Sequence, residues 1–195
     1  MMMMNTIKEE IRILGFDDAP FDKDKDEEVL VIGTVFRGNK SIDGVISFKV
    51  KVDGDDATEK LIHVINGTKH KDQIRIIMLD GIAFGGFNII DIKKLYDEIK
   101  IPVIVLMRKI PEYDKIKEAL KKFPNFSEKW KKIEGAGKII ELRKGKIYFQ
   151  FIGIDEEKAK QVILQSILRG DVPECLRVAH LIASGIILGE SRGRA

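Results

Sequence analysis

The stretch Val29-Leu-Val-Ile-Gly-Thr-Val-Phe36, then Arg37-Gly-Asn-Lys-Ser41, then Val45-Ile-Ser-Phe-Lys-Val-Lys-Val52 decides the fold class. Its first part is a continuous β-branched run without clear alternation, the pattern of a strand covered on both faces. Its last part alternates. Ile46, Phe48, Val50 and Val52 face one way and Ser47, Lys49 and Lys51 the other, as on a half-buried antiparallel strand. The middle is turn chemistry, so the two runs form a hairpin or meander. Upstream, Ile11 to Leu14 followed by Gly15-Phe16 supplies a first strand. Downstream the period changes: Ala57, Leu61, Val64 and Ile65 recur at helical spacing over Asp56 to Ile65, and Asn66-Gly67 supplies the stop.

The rest continues in alternation. Ile74 to Leu79 reads as a strand, Ile92 to Ile99 as a helix, Pro102 to Met107 as a buried parallel-type strand and Glu112 to Phe123 as a helix. Ile139 to Leu142 and Ile147 to Ile152 flank Arg143-Lys-Gly-Lys146 as a hairpin, and helices over Asp155 to Arg169 and Pro173 to Leu188 finish the chain. A three-strand antiparallel meander feeding right-handed β-α-β units makes an α/β mixed sheet with helices on both faces. Residues 1–195 read as a single domain. Phe123 to Lys138, punctuated by Pro124, Asn125, Gly135 and Gly137, is its loosest stretch and reads as an insertion.

A chain of 195 residues with 44% apolar and 33% charged residues has an ordinary globular balance, which excludes a collagen-like, mucin-like or wholly disordered chain. A lone cysteine, Cys175, excludes an intramolecular disulfide and makes a reducing cytoplasm the expected home. No apolar run reaches the ~18 to 20 residues of a membrane span. Met1 to Asn5 reads as a lead-in without function, with no signal-peptide core.

The net charge of +3 names no partner, but its distribution is uneven. Arg108 to Lys146 holds thirteen cations and six carboxylates, whereas Asp17 to Glu28 holds seven carboxylates and two lysines. An acidic edge beside a basic middle fits an acid-lined metal site next to a surface for polyanions. A Lys/Glu-rich solvated surface of a heat-adapted protein fits the same counts.

Two strands end in carboxylates: Arg12-Ile-Leu-Gly-Phe-Asp17-Asp18 and Arg75-Ile-Ile-Met-Leu-Asp80-Gly81. If both strands are central and parallel, Asp17 and Asp80 finish side by side at the edge where open α/β sheets bind ligands. Carboxylates converging there repel unless a divalent cation lies between them, and Mg²⁺ suits few carboxylates plus waters and a phosphate. Such a cation serves phosphodiester hydrolysis. Turn or N-cap duty explains a lone Asp equally well.

Gly15-Phe16-Asp17-Asp18, Leu79-Asp80-Gly81-Ile82-Ala83 and Pro173-Glu-Cys-Leu-Arg-Val-Ala-His180-Leu-Ile-Ala183 resemble endonuclease V. They resemble still more a mostly archaeal relative of it, domain-of-unknown-function family ninety-nine. The likeness covers nearly the whole chain in element order. It implies a ribonuclease-H-like fold and Mg²⁺- or Mn²⁺-dependent endonuclease action on DNA or RNA near deaminated bases, inosine or uracil. Asp17 and Asp80 resemble the family's metal ligands, and His180 the residue of the last helix that completes the site. Endonuclease V also carries a glutamate in an Arg-Glu-Gly-Pro-like segment, which this chain lacks. Asp56, with Glu59 in a D-x-x-E pattern, is a substitute metal ligand or half of a capping box. Asp18 is a further candidate. The wedge that inserts beside the damaged base in endonuclease V has no place on this sequence, and the loop after Gly81 is shorter. A catalytically silent nucleic-acid-binding module on the same scaffold is therefore a second reading, and an enzyme on small phosphorylated metabolites a third.

For nucleic acid, Arg108 and Lys109 open the basic stretch, Gly81 and Gly85 let a phosphate backbone approach or simply make a tight turn, and Arg177 holds a phosphate or pairs with a core carboxylate. His180 lies among Leu176, Ala179, Ile182 and Ala183, where a satisfied core histidine fits as well as a site residue. Trp130 anchors a helix in the core or stacks on a base. Cys175 reads as a small packed residue.

Overall fold

The computed structural model describes residues 7–192; residues 1–6, which include the expected lead-in Met1 to Asn5, and residues 193–195 lie outside the described residues. Strands β1 (Arg12–Asp18), β2 (Glu28–Arg37) and β3 (Ser41–Lys51) form the meander. Helix α1 (Ala57–Gly67), β4 (Ile76–Asp80), a small hairpin of β5 (Ala83–Phe84) and β6 (Asn88–Ile89), α2 (Ile92–Ile99) and β7 (Val103–Met107) follow. The chain closes with α3 (Tyr113–Leu120), α4 (Phe126–Gly135), β8 (Ile140–Arg143), β9 (Ile147–Ile152), α5 (Glu156–Gln165) and α6 (Glu174–Leu188).

Seven strands make one mixed sheet in the order β3-β2-β1-β4-β7-β9-β8, with β1, β4 and β7 parallel and the others antiparallel to their neighbours. This is the expected meander joined to β-α-β units. The small hairpin and α4 are additions to the expected order. Helix α4 occupies the stretch that reads as loose, because Phe126, Trp130 and Ile133 meet Leu120 and Ile89 in a small apolar cluster of their own.

The period-2 geometry of strands sorts the core. Leu14, Phe16, Ile77, Leu79, Val103 and Val105 pack toward α1 and α2. Ile13, Ile76, Met78, Ile104 and Leu106 pack toward α5 and α6 on the other face. Helix α6 comes down closely on β1 because Gly15 has no side chain: a Cβ there would lie 2.7 Å from Cys175 Sγ. Thr34 Oγ1 donates to the Cys175 carbonyl at 2.6 Å and ties α6 to β2 as well. Ala19, Ile32, Ala179 and Ala183 continue that contact with small residues. Cys175 is fully buried, as expected of a packed residue, and burial pushes its thiol up to about 12.

Candidate functional site

Phe16 pairs in register with Leu79, so Asp17 and Asp80 follow one step further along neighbouring parallel strands. Their odd and even positions match Ile13 and Met78, so both carboxylates face α6. That shared face brings His180 to Asp17: its Nδ1 lies 3.0 Å from Oδ2. A carboxylate only accepts, so Nδ1 carries the proton. Asp17 Oδ1 accepts from the Asp18 backbone N–H at 2.9 Å. The same parity along β7 turns Arg108 to Asp80, where Nη2 donates to Oδ2 at 3.1 Å. The edge therefore holds two acid–base pairs side by side.

Asp18 points to the opposite face, where the Gly85 N–H donates to its Oδ2 at 2.7 Å. Gly81 and Gly85 lie at φ +87° and +55°, the left-handed region that favours glycine, as a tight turn requires. Burial above all, with the Asp17 and Asp80 charges behind it, pushes Asp18 up to about 6 against the Gly85 hydrogen bond. Asp80 rises to about 6 as well, first through burial and next through the Asp17 charge, with Arg108 and His180 opposing. The hydrogen bond to Asp17 holds the His180 imidazolium above its ordinary range. These shifts describe three carboxylates crowded at one edge with two cations as counterweights.

Asp56 is committed elsewhere. It accepts from the Lys51 N–H at 3.2 Å and Asn88 Nδ2 at 2.6 Å, and Lys60 Nζ lies 2.9 Å away. It makes no capping bond, so the D-x-x-E pattern is not a capping box here. No hydrogen bond or ion pair links it to Asp17 or Asp80, and Asp18 takes its place as the third acid of the edge. Arg177 forms a bidentate pair with buried Glu174 at 2.8 and 2.6 Å, the core-carboxylate alternative rather than a phosphate site. Lys109 is exposed. Trp130 is half-buried, stacks on Phe126 and donates to Glu134, so it serves the α3–α4 cluster.

Lys129, expected on the basic surface, is fully buried. Its Nζ donates to the carbonyls of Gly54 at 2.6 Å, Phe87 at 2.8 Å and Asp53 at 3.3 Å, and pairs with Asp55 at 2.9 Å. It clamps α4 onto the β3–α1 turn and onto the loop whose Gly85 holds Asp18. The helical spacing of Phe126, Trp130 and Ile133 marks Lys129 as an inward neighbour, the one signal that could have found it.

The donor types fit a hard divalent cation: carboxylate oxygens from neighbouring strand ends, of which Asp80 is raised in pKa by burial first and by the Asp17 charge next. In this arrangement Arg108 and His180 supply countercharge to Asp80 and Asp17, and among the described residues no three acids or histidines already form a metal cage. None of the helices among these residues is long and apolar enough to cross a membrane.

Comparison with known proteins gives the family and the fold. The UPF0215 protein of Methanothermobacter thermautotrophicus is 51% identical over 192 residues, 97% of this chain and 94% of that one. A solved protein of unknown function from Archaeoglobus fulgidus superposes with TM-score 0.83 at 38% identity, covering 90% of this chain and 97% of its own. Endonuclease V of Ciona intestinalis, solved with a 24-mer DNA containing an inosine followed by a ribo-adenosine, superposes at TM-score 0.62 and 12% identity. The overlap covers 91% of this chain and 86% of that one, and at that identity it shows a shared ribonuclease-H-like fold. The family model described as endonuclease dU matches residues 9–187, and the chain belongs to that endonuclease-V-related family.

Proposed function

We propose that the chain is a divalent-metal-dependent endonuclease that hydrolyses a phosphodiester bond of DNA or RNA at or near a deaminated base, with uracil the first candidate. The observation that carries the reading is the convergence of Asp17 and Asp80 on neighbouring parallel strand ends, with His180 hydrogen-bonded to Asp17. The family's description supports the substrate class. Asp17 and Asp80 would hold Mg²⁺ or Mn²⁺, with Asp18 within electrostatic reach of both. Such a cation, when bound, polarises the phosphoryl group and acidifies a coordinated water.

The chain's own residues do the remainder. His180 keeps a proton at Nδ1 on Asp17 and so stays oriented beside the reacting phosphate. Arg108 neutralises Asp80 and has the planar fork of donors that suits a phosphate oxygen. Gly81 and Gly85 leave the loop beside the edge without side chains, which lets a backbone approach.

Purified protein and its Asp80→Ala variant would be incubated with labelled oligonucleotides bearing uracil, inosine or no lesion, with Mn²⁺, Mg²⁺ or EDTA. Nicking that needs metal, prefers one lesion and vanishes in the variant is expected. Salt-sensitive binding that survives EDTA and yields no product in any condition would favour the silent module.

A further inference from the structure

Helix α6 delivers His180 to Asp17, and the chain that leaves α6 turns back to the same ring. Gly189 ends the helix at φ +81°, with its N–H donating to the Gly185 carbonyl at 3.0 Å. Residues 190–192 then return over the last turns of the helix, where the Ser191 nitrogen comes within 3.9 Å of the place a Gly185 Cβ would take. The Arg192 N–H donates to the buried Ser184 Oγ at 3.1 Å, and that hydroxyl lies 3.4 Å from the Arg192 carbonyl. The same carbonyl lies 3.4 Å from His180 Nε2. Since Nδ1 is committed to Asp17, Arg192 meets the one ring nitrogen left, and only 20% of the His180 side chain stays exposed.

We infer that residues 189–192 form a strap that closes the His180 end of the site and swings off about Gly189 when a nucleic-acid phosphate arrives there. The inference rests on the nuclease reading and names a means of control for that site. A phosphate oxygen and a backbone carbonyl are both acceptors, so they compete for the single outward position at Nε2. The strap is built to let go. Its hydrogen bonds are long, its side chains are exposed, and Glu190 and Arg192 pair with each other at 2.9 Å. A segment with so few buried contacts belongs to the low-stability end of a structure. Its hinge is a glycine in the left-handed region, and a Cβ there would meet nothing within 4 Å. Three such weak contacts leave the strap open in about one molecule in ten, and a ligand that binds only the open form then loses affinity about tenfold. Ser184 serves as the latch: it acts through the strap and does not touch the phosphate.

The test follows hydrogen exchange of the Arg192 amide by NMR, first in EDTA and then with a uracil-bearing oligonucleotide and Ca²⁺. Gly189→Val sets a β-branched residue where the turn needs φ +81° and touches nothing else, and Ser184→Ala removes the latch. In EDTA the wild-type amide should exchange about tenfold more slowly than in either variant, and saturating oligonucleotide should bring it to the variants' rate. Both variants should bind the oligonucleotide more tightly, by about tenfold. A wild-type amide no slower than the variants', an amide that the oligonucleotide leaves protected, or equal affinity in all three proteins would overturn the strap. If exchange and affinity behave as expected while no oligonucleotide is ever nicked with Mn²⁺ or Mg²⁺, the strap stands and the nuclease reading fails. If all three proteins nick equally and the Arg192 amide exchanges alike in them, the strap fails and the nuclease reading stands.

Discussion

Replacing Asp80 with asparagine, in protein kept free of divalent cations, isolates the charge strain at the strand ends. Burial and the Asp17 charge raise Asp80 from 3.8 to about 6. Roughly two units correspond to about 3 kcal/mol between its charged and neutral forms. That shift already contains the opposing Arg108 attraction, so the lost ion pair needs no separate deduction. Asparagine mimics the neutral carboxyl in shape and polarity, though not in its O–H donor, and an expected gain of about 2 to 3 kcal/mol allows for this.

The pH dependence follows from the direction of the shift. The folded chain keeps the Asp80 proton up to about 6, whereas the unfolded chain releases it near 3.8. Between those values the folded state binds more protons, so wild-type stability falls as pH rises, and the full cost is present above about 6. Guanidinium unfolding in EDTA, followed by circular dichroism, should find Asp80→Asn more stable by about 2 to 3 kcal/mol at pH 8 and level with wild type, within about 0.5 kcal/mol, at pH 4. Adding Mn²⁺ should close the gap from the wild-type side only, by about 2.7 kcal/mol at a hundredfold excess over its dissociation constant. A variant no more stable than wild type at pH 8, or equally shifted at both pH values, would refute the strained-carboxylate account.

Lys129→Met keeps the aliphatic stem but orphans the Asp53, Gly54 and Phe87 carbonyls and unpairs Asp55, which should cost about 3 kcal/mol in guanidinium unfolding; a loss below about 1 kcal/mol would remove the clamp from the argument. Gly15→Ala places a Cβ 2.7 Å from Cys175 Sγ and 2.9 Å from its backbone carbon, so α6 must shift at a cost of about 1 to 3 kcal/mol. Adding Cys175→Ala should not restore the loss, because the Cβ and backbone carbon remain, and full rescue in the melting temperature would show that sulfur alone sets the helix distance.

The element order was legible because each transition carries a local signal: alternation in β3, β-branched runs in β2 and β7, helical spacing in α1 and α2. The Asp17–Asp80 pair was legible because both end strands that hydrophobic patterning marks as central. What escaped depends on partners distant in sequence. Asp56 and Glu59 satisfy a local capping pattern, yet Asn88, thirty-two residues on, takes the carboxylate instead. Lys129 breaks an apolar face and so hid α4, since nothing in the local chain announces three carbonyls waiting for an ammonium. Arg108 was read only as a phosphate contact, and its ion pair with Asp80, which the parity of Ile104 and Leu106 implies, went unread.

The basic stretch changes meaning once its partners are known. Of its thirteen cations, Arg108, Lys115, Lys121, Lys129, Lys138, Arg143 and Lys146 each lie within 4.0 Å of a carboxylate. Lys117 covers the Trp130 ring, and Lys132 reaches the Ile89 carbonyl. Among the described residues, Lys109, Lys122, Lys131 and Lys144 alone in this stretch lack a partner. Thirteen phosphate contacts would give a logarithmic salt slope near −12 on duplex DNA, whereas these four lysines with Arg108 and Lys146 support at most about −5. Filter binding across a salt series should find the shallower slope, reduced by about one in Lys109→Ala and unchanged in Lys115→Ala, whose ammonium is held by Glu112 at 2.6 Å. A slope near −12 would mean that the ion pairs open on binding and that the α3–α4 face tracks the strand. The shallow slope would mean that the intramolecular ion pairs of this stretch stay closed and that only its unpartnered lysines, with Arg108 and Lys146, meet phosphates.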